Sequence, residues 1–262
     1  MARTIKSVQN TTEIIDCLQK LESGTVSELA ETTGLTVGTV HTHLATLIDA
    51  NYVVKDGTTY RLGPKFLTAG EYVRNHADIY RAGKGQIEDL ADETSECAHL
   101  IIEHDGKLFA LYERFGQNAV GVEYHDRKRE QALKHLHCTA AGKAILSQLP
   151  ESEVRSIIQE QGMPQNTDQT ITDVDRLIED LVESRNRGYA FADEEQVSGI
   201  RAVGSPVTTS ETSVEGALAV SGPTSRMKDD KFEKKIPELV VEAANICEVN
   251  LHTIRNQSVK GD

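Results

Sequence analysis

Apolar residues recur at steps of three and four in the N-terminal part of the chain, a spacing that predicts amphipathic helices. The first helix spans 7–21 with Ser7 as its cap, and the second spans 28–34, opened by Ser27 and stopped by Gly34. Thr36 caps a third helix over 37–51. The predicted apolar positions of the first and third helices are Val8, Thr11, Ile14, Ile15, Leu18, Leu21, Val37, Val40, Leu44, Leu47 and Ile48.

Two strand-like segments, 52–55 and 59–63, follow these helices and flank Asp56-Gly57, a dipeptide that suits a tight hairpin turn. Three short helices followed by a hairpin are typical of a winged helix-turn-helix DNA-binding module, which we assign to 1–65. The alternative is a generic three-helix bundle with a hairpin. Small and hydrogen-bonding side chains opposite the apolar face of the third helix favour DNA binding. The residues predicted to contact DNA are Thr36, Gly38, Thr39, His41, Thr42, His43, Lys55 and Arg61.

The rest of the chain alternates strand and helix patterns. A helical segment at 66–82 is predicted to link two domains, and 83–262 forms the second domain. Its predicted strands are 98–104 and 107–115, joined at Asp105-Gly106, then 119–122, 200–208 and 214–222. Helices are predicted from Ala140, over 151–161 and 173–188, and finally over 231–252. No regular βαβ repeat is present, so the predicted class is α+β with a largely antiparallel sheet.

Composition changes this picture in two ways. The 28 basic and 41 acidic residues give a net charge of −13, which by itself argues against a nucleic-acid partner. However, residues 1–65 hold six basic and seven acidic residues, so the predicted DNA-binding module is almost neutral. The acidic excess also fits a cytoplasm with molar salt, where screening is nearly complete. Since no apolar run is long enough for a membrane span or signal peptide, we expect a cytoplasmic protein.

Several motifs together resemble the IclR family of transcriptional regulators, named for the isocitrate lyase regulator. They are GLTVGTVHTHLATL and TYRLGPKFL in the N-terminal part, followed by LHCTAAGKAIL, RGYAFADEEQVSGIRAVGSPV and GALAVSGPTSR. The resemblance implies a winged-helix domain, a linker helix and a GAF-like effector-binding domain that assemble as a homodimer or a dimer of dimers. It further implies a pseudo-palindromic double-stranded operator, a small organic acid as effector, and control of a catabolic operon.

The resemblance also implies where the effector binds. Carried over residue by residue, the predicted effector-binding residues are Ala140, Ala141, Gly142, Asp193, Ile200, Ala202, Ala219 and Ser221. The small residues at 140–142 open a helix, whose free amides and dipole favour a carboxylate. Relatives that bind short keto acids have thiol or hydroxyl groups at the positions of Ala202 and Ala219, so a less polar pocket is expected here. Many relatives also have Arg at the position of Thr42, so one phosphate or guanine contact is missing.

The cysteines, histidines and acidic residues of the chain also bear on disulfide, metal and catalytic chemistry. Four cysteines without a CxxC pair argue against a disulfide scaffold or zinc ribbon. A soft metal site would require the strand and loop that carry Cys97, His99, His135, His137 and Cys138 to meet, and we expect no metal and no cofactor. Glu194 and Glu195 are expected in a solvated loop. No catalytic motif is present, so we expect no enzyme; the alternative function is an enzyme or a metal or redox sensor using the C-terminal pocket.

Overall fold

The structure is a computed structural model that describes residues 3–120, 135–210 and 213–258. The chain divides into two compact units, Met1–Arg74 and Asn75–Asp262. The predicted effector domain, 83–262, lies wholly within the second unit. Among the described residues, no helix combines the length and the apolar character needed to cross a membrane.

The N-terminal unit contains three helices and a small sheet. The helices are α1 (Lys6–Leu21), α2 (Val26–Thr33) and α3 (Val37–Asp49). Strands β1 (Gly24–Thr25), β2 (Val53–Asp56) and β3 (Thr59–Leu62) form an antiparallel sheet in the order β1-β3-β2. Asp56 pairs with Thr59, and Gly57 in the turn has φ +57°, so the predicted hairpin is confirmed. This is the winged helix-turn-helix arrangement.

Helix caps explain where these helices begin and end. Thr36 accepts the Thr39 amide at 3.2 Å and Gly34 has φ +70°, which confirms both predicted signals. The predicted Ser27 cap is wrong: Thr25 caps α2 in a reciprocal capping box with Glu28. Because the Thr25 amide and hydroxyl donate to the Glu28 carboxylate, its pKa is lowered. The predicted Ser7 cap is also wrong, since α1 starts at Lys6 and Ile5 occupies the cap position.

The core of the N-terminal unit is built from the predicted helical faces, with exceptions at the helix ends. Its buried members are Ile14, Cys17, Leu18, Leu29, Ala30, Val40, Leu44, Leu47, Val53 and Tyr60. Val8, Leu21 and Val37 were predicted to be buried but are exposed. All three lie in the first or last turn of their helices.

The predicted linker segment 66–82 is shared by two helices. Helix α4 spans Lys65–His76 and helix α5 spans Asp78–Thr94. Between them Ala77 has extended backbone angles, φ −79° and ψ 114°, and is the N-terminal cap residue of α5. Segment 66–82 is therefore not one continuous helix.

The C-terminal unit is an antiparallel sheet of five strands in the order β5-β4-β8-β7-β6. The strands are β4 (Cys97–His104), β5 (Lys107–Phe115), β6 (Ala190–Asp193), β7 (Ile200–Ser210) and β8 (Ser213–Pro223). The predicted α+β class is thus confirmed. Ala119 and Val120 were predicted to begin a strand but are not in one, and the rest of that segment lies outside the described residues.

Helices cover both faces of this sheet. Helix α5 and the last helix, α9 (Ile236–Ser258), pack on one face around Leu100, Val203 and Leu218. On the other face lie α6 (Ala140–Leu146), α7 (Glu151–Gln161) and α8 (Val174–Arg187), which share a core with strand residues such as Ala219. A 3-10 turn, Leu136–Cys138, precedes α6, and a π-helical turn, Lys231–Lys235, precedes α9.

Candidate functional site

The first candidate surface is the side of α3 that faces away from the N-terminal core. Gly38, His41 and Thr42 are exposed there, whereas Thr39 and His43 are half-buried. The hydroxyl of Thr42 donates to the Gly38 carbonyl at 2.9 Å, and its oxygen can still accept a hydrogen bond. The predicted DNA contacts on α3 therefore differ in accessibility, and the three exposed residues form what we call the α3 face.

Two of the predicted contacts are already engaged within the protein. Nδ1 of His43 lies 2.8 Å from the Thr11 hydroxyl, so this ring joins α3 to α1. The hydroxyl of Thr39 lies 2.8 Å from that of Thr36, the helix cap. The first contact links α3 to α1, and the second belongs to the N-terminal cap of α3.

The hairpin offers two exposed basic residues, Lys55 and Arg61. Lys55 pairs with Tyr60 and Val54 pairs with Arg61. Cross-strand partners project from the same face and successive residues alternate, so the two basic side chains project from opposite faces of the hairpin. The two basic side chains therefore do not form one cluster on the hairpin.

The second candidate site is one face of the large sheet. Ala202 on β7 pairs with Ser221 on β8, and Ser221 pairs on its other side with Cys97 on β4. In the adjacent row, Ala219 of β8 pairs with His99 of β4. Side chains two residues apart along a strand share a face, so these five residues project together. We call this group the effector face.

Two further predicted effector residues, Ile200 and Asp193, lie on opposite faces of the sheet. Ile200 begins β7 and lies on the same face as Ala202, two residues later. Asp193 pairs with Arg201 in the sheet and accepts two hydrogen bonds from its guanidinium, at 2.6 and 3.0 Å. Because Arg201 packs over the Phe232 ring, this ion pair lies on the opposite face. The structure therefore does not bring Asp193 to the other predicted residues.

A chain of hydrogen bonds runs across the effector face. Nε2 of His99 lies 2.8 Å from the Ser221 hydroxyl, and Nδ1 lies 2.6 Å from the Glu113 carboxylate. Sγ of Cys97 is 3.9 Å from the same Nδ1. Burial lowers the pKa of His99, but the neighbouring Cys97 and Glu113 more than offset this effect and raise it to about 10. The imidazole is thus held in one orientation between a hydroxyl and a carboxylate.

Helix α6 rests directly on the sheet. A Cβ at Gly204 would lie 2.7–2.8 Å from backbone atoms of Ala140 and Ala141, so only glycine permits this approach. At the start of the helix the Gly142 amide donates to the Thr139 hydroxyl at 3.0 Å. The Gly142 amide, one of those predicted to bind a carboxylate, therefore already donates to the Thr139 cap.

A buried ion cluster lies behind this helix. Lys143 is 1% exposed, and its Nζ is 2.7 Å from a Glu195 carboxylate oxygen and 2.9 Å from one of Asp180. The expectation of a solvated Glu195 is wrong, because this side chain is buried against Lys143; Glu194 accepts the Gly199 amide at 2.7 Å within the loop. Burial raises the pKa of Glu195, opposed by the charge of Lys143.

Sequence reasoning missed Glu113 and Lys143. Lys143 had a signal, because it stands alone in an otherwise small and apolar helix, AAGKAIL. No pattern in the sequence indicates the partner of Glu113, because a β-bulge between Leu100 and Ile101 determines which residue of β4 it pairs with.

The metal ligands considered from the sequence do not come together as one set. Among the described residues, the one group of potential metal ligands contains Cys97 and His99 but not His135, His137 or Cys138. Burial lowers the pKa of His137, whose Nε2 lies 3.3 Å from the Pro164 carbonyl oxygen.

Comparison with known families matches both parts of the chain. Residues 7–57 match the model described as "IclR helix-turn-helix domain", and residues 71–248 match that described as "Bacterial transcriptional regulator IclR C-terminal". "Probable HTH-type transcriptional regulator ArcR" of Halobacterium salinarum is 42% identical over 252 residues, which cover 96% of this chain and 95% of that protein.

Solved structures show the same fold. An IclR transcriptional regulator from Alicyclobacillus acidocaldarius superposes with a TM-score of 0.82 at 24% identity, covering 95% of this chain and all of that one. An IclR homologue from Microbacterium hydrocarbonoxydans, complexed with 4-hydroxybenzoate, gives a TM-score of 0.77 at 18% identity, covering 94% and 99%. The relatives are named as transcriptional regulators, so the alternative that the C-terminal pocket is an enzyme site is wrong. The chain belongs to the IclR family of transcriptional regulators, with a DNA-binding helix-turn-helix domain and a C-terminal effector domain.

Proposed function

We propose that the chain binds a pseudo-palindromic operator of a catabolic operon through the α3 face, as a homodimer or dimer of dimers. We further propose that a small organic acid on the effector face regulates this binding. Helix-turn-helix dimers read two half-sites by placing one helix of each subunit in the major groove. The observation that carries the DNA-binding proposal is the row of exposed Gly38, His41 and Thr42 on α3.

Thr42→Glu tests the assignment of α3. A carboxylate at this exposed position is expected to face base edges and phosphates, and to lower operator affinity at least about tenfold, or about 1.4 kcal/mol. Affinity is measured by gel shift or fluorescence anisotropy on the DNA upstream of the protein's own gene. Thr12→Glu is the matched control, because it adds the same charge at an exposed position on α1. Equal affinity of the two variants would show that α3 is not the recognition helix.

The effector part of the proposal is supported by the chemistry of the effector face. Ser221 offers a hydroxyl beside the small, half-buried Ala202, and Nε2 of His99, on the same face, lies 2.8 Å from that hydroxyl. A carboxylate with a partly apolar body matches one polar anchor among small apolar neighbours. One structural relative was solved with 4-hydroxybenzoate, a ligand of this kind.

Thermal unfolding of the full chain with a panel of aliphatic, keto and aromatic carboxylates, including 4-hydroxybenzoate and pyruvate, tests this part. An acid at a hundred times its Kd is expected to stabilise the fold by about 2.7 kcal/mol and raise Tm by several degrees. Ser221→Ala is expected to weaken binding by about 1–2 kcal/mol. Ser225→Ala, at an exposed turn, is the control. A panel without any shift would refute a carboxylate effector.

A further inference from the structure

We infer that Cys97, His99 and Glu113 form a binding site for a divalent cation of the zinc class. One ligand atom from each of the three side chains lies within 4.8 Å of the other two. Thiolate sulfur, imidazole nitrogen and carboxylate oxygen are the ligands that zinc takes in proteins. The inference concerns binding and does not depend on the proposed operator or effector.

The geometry is close to what a tetrahedral ion requires. Bonds of about 2.0–2.3 Å place tetrahedral ligand atoms roughly 3.3–3.7 Å apart. Here Nδ1 of His99 is 3.9 Å from Sγ of Cys97 and 2.6 Å from the Glu113 oxygen. An ion at this site requires the sulfur to approach Nδ1 by about 0.2 Å and the carboxylate oxygen to move away from it by about 0.7 Å, shifts of the size that side-chain rotation provides. The ion then takes the place of the proton between His99 and Glu113.

The surroundings also match a metal site. Cys97 is 2% exposed, and the side chains of His99 and Glu113 are 10% and 6% exposed, so water competes poorly for these ligands. The second ring nitrogen of His99 is oriented by the Ser221 hydroxyl at 2.8 Å. A metal-bound histidine commonly donates its other N–H to an oxygen, which fixes its tautomer and ring orientation. Thiolate and carboxylate together balance the two charges of the ion.

Three protein ligands leave a fourth coordination position. The three side chains project from the effector face, so the ion lies on that face, on the Nδ1 side of the His99 ring and away from Ser221, which contacts Nε2. This set differs from the one considered from the sequence. It replaces His135, His137 and Cys138 with Glu113, a residue of the neighbouring strand.

Titration of the untagged, metal-free full chain with Co²⁺ tests the site. One equivalent is expected to bind with thiolate-to-cobalt charge-transfer absorption, and one equivalent of Zn²⁺ is expected to displace it. Cys97→Ser is expected to abolish the charge-transfer absorption, and Glu113→Gln and His99→Gln are each expected to weaken cobalt binding at least about tenfold. Cys138→Ser, which replaces another buried cysteine, is the matched control and is expected to behave as wild type.

Wild-type protein without this absorption would overturn the inference, as would its persistence in Cys97→Ser or its loss in Cys138→Ser. The wild-type measurement does not depend on any variant folding, and Glu113→Gln preserves the shape of the side chain. Operator binding is measured separately on the same metal-free protein. Loss of DNA binding therefore contradicts the proposed function, whereas absence of cobalt binding contradicts only the metal site.

Discussion

At the scale of single residues, the buried Lys143 stabilises the C-terminal unit through its ion pairs with Glu195 and Asp180. Its ammonium lies in the interior with Glu195 and Asp180, where an ion is stable only when it is paired. Helix α6 and helix α8 are joined through this cluster, because Lys143 lies on the first and Asp180 on the second. The cluster thereby holds the helix that packs against Gly204 of the sheet.

Lys143→Met is expected to destabilise the C-terminal unit by about 3–5 kcal/mol, because the apolar side chain leaves the buried Glu195 carboxylate without its partner, whereas Asp180 retains Arg187 at 3.9 Å. Urea unfolding followed by circular dichroism measures the effect. Lys84→Met is the control: the Lys84 side chain is 47% exposed and its ammonium is 4.0 Å from Glu88, so a change within about 0.5 kcal/mol is expected. Similar losses for the two variants would mean that the buried cluster contributes little.

At the scale of elements, the contact between α6 and β7 positions the effector face. The helix begins over Gly204, at a distance that any side chain there would prevent. Ala190 and Ala219 flank Gly204 in the same row of the sheet, so the row is small throughout. The small side chains of Ala190, Gly204 and Ala219 therefore allow the start of α6 to pack closely on the sheet.

Gly204→Ala is expected to destabilise the C-terminal unit by about 1–3 kcal/mol, because the backbone of α6 must move away from the new methyl group. Gly85→Ala is expected to have the opposite effect and to stabilise the unit by about 0.5–1 kcal/mol. Gly85 lies inside α5, where alanine favours the helix more than glycine does, and a Cβ there meets nothing within 4 Å. Urea midpoints of the two variants give the signs directly, and a stabilising Gly204→Ala would contradict the close packing.

At the scale of the whole molecule, negative charge is distributed unevenly. Residues 1–65 carry a net charge of only −1 out of −13, so most of the excess lies in the remaining chain. Few basic groups of the N-terminal unit are placed for phosphate. They are Lys55, Arg61 and Lys65, with Arg3 and Lys6 near the N-terminus, and all five are exposed. Lys55 lies over the Tyr60 ring, and Lys65 lies over the Tyr52 ring and donates to the Ala50 carbonyl.

Operator binding is therefore expected to show a shallow salt dependence. Each neutralised phosphate contributes about −0.9 to the slope of log K against log salt, so three or four contacts per subunit give a dimer a slope no steeper than about −7. Fluorescence anisotropy on the upstream DNA at several KCl concentrations measures this slope. A steeper value would show that basic residues outside the N-terminal unit contact DNA.

The sequence by itself determined helix ends, the hairpin turn and the family, because these depend on local backbone chemistry and on the order of motifs. Thr36 caps a helix because its hydroxyl accepts an amide three residues later, and Gly34 ends one because it tolerates positive φ. Asp56-Gly57 forms the hairpin turn because Gly57 also tolerates positive φ. The order of the motifs, moreover, was sufficient to predict the family.

Tertiary structure alone decided which side chains meet. Counting back from the Asp105-Gly106 turn places Tyr112 opposite His99, but the bulge adds one residue to β5 and brings Glu113 there instead. Asp193 belongs to the motif of the effector domain, yet the pleat turns it to the other face, where Arg201 binds it. A one-residue change of register reverses the face of every side chain beyond it, and no local pattern in the sequence records that change.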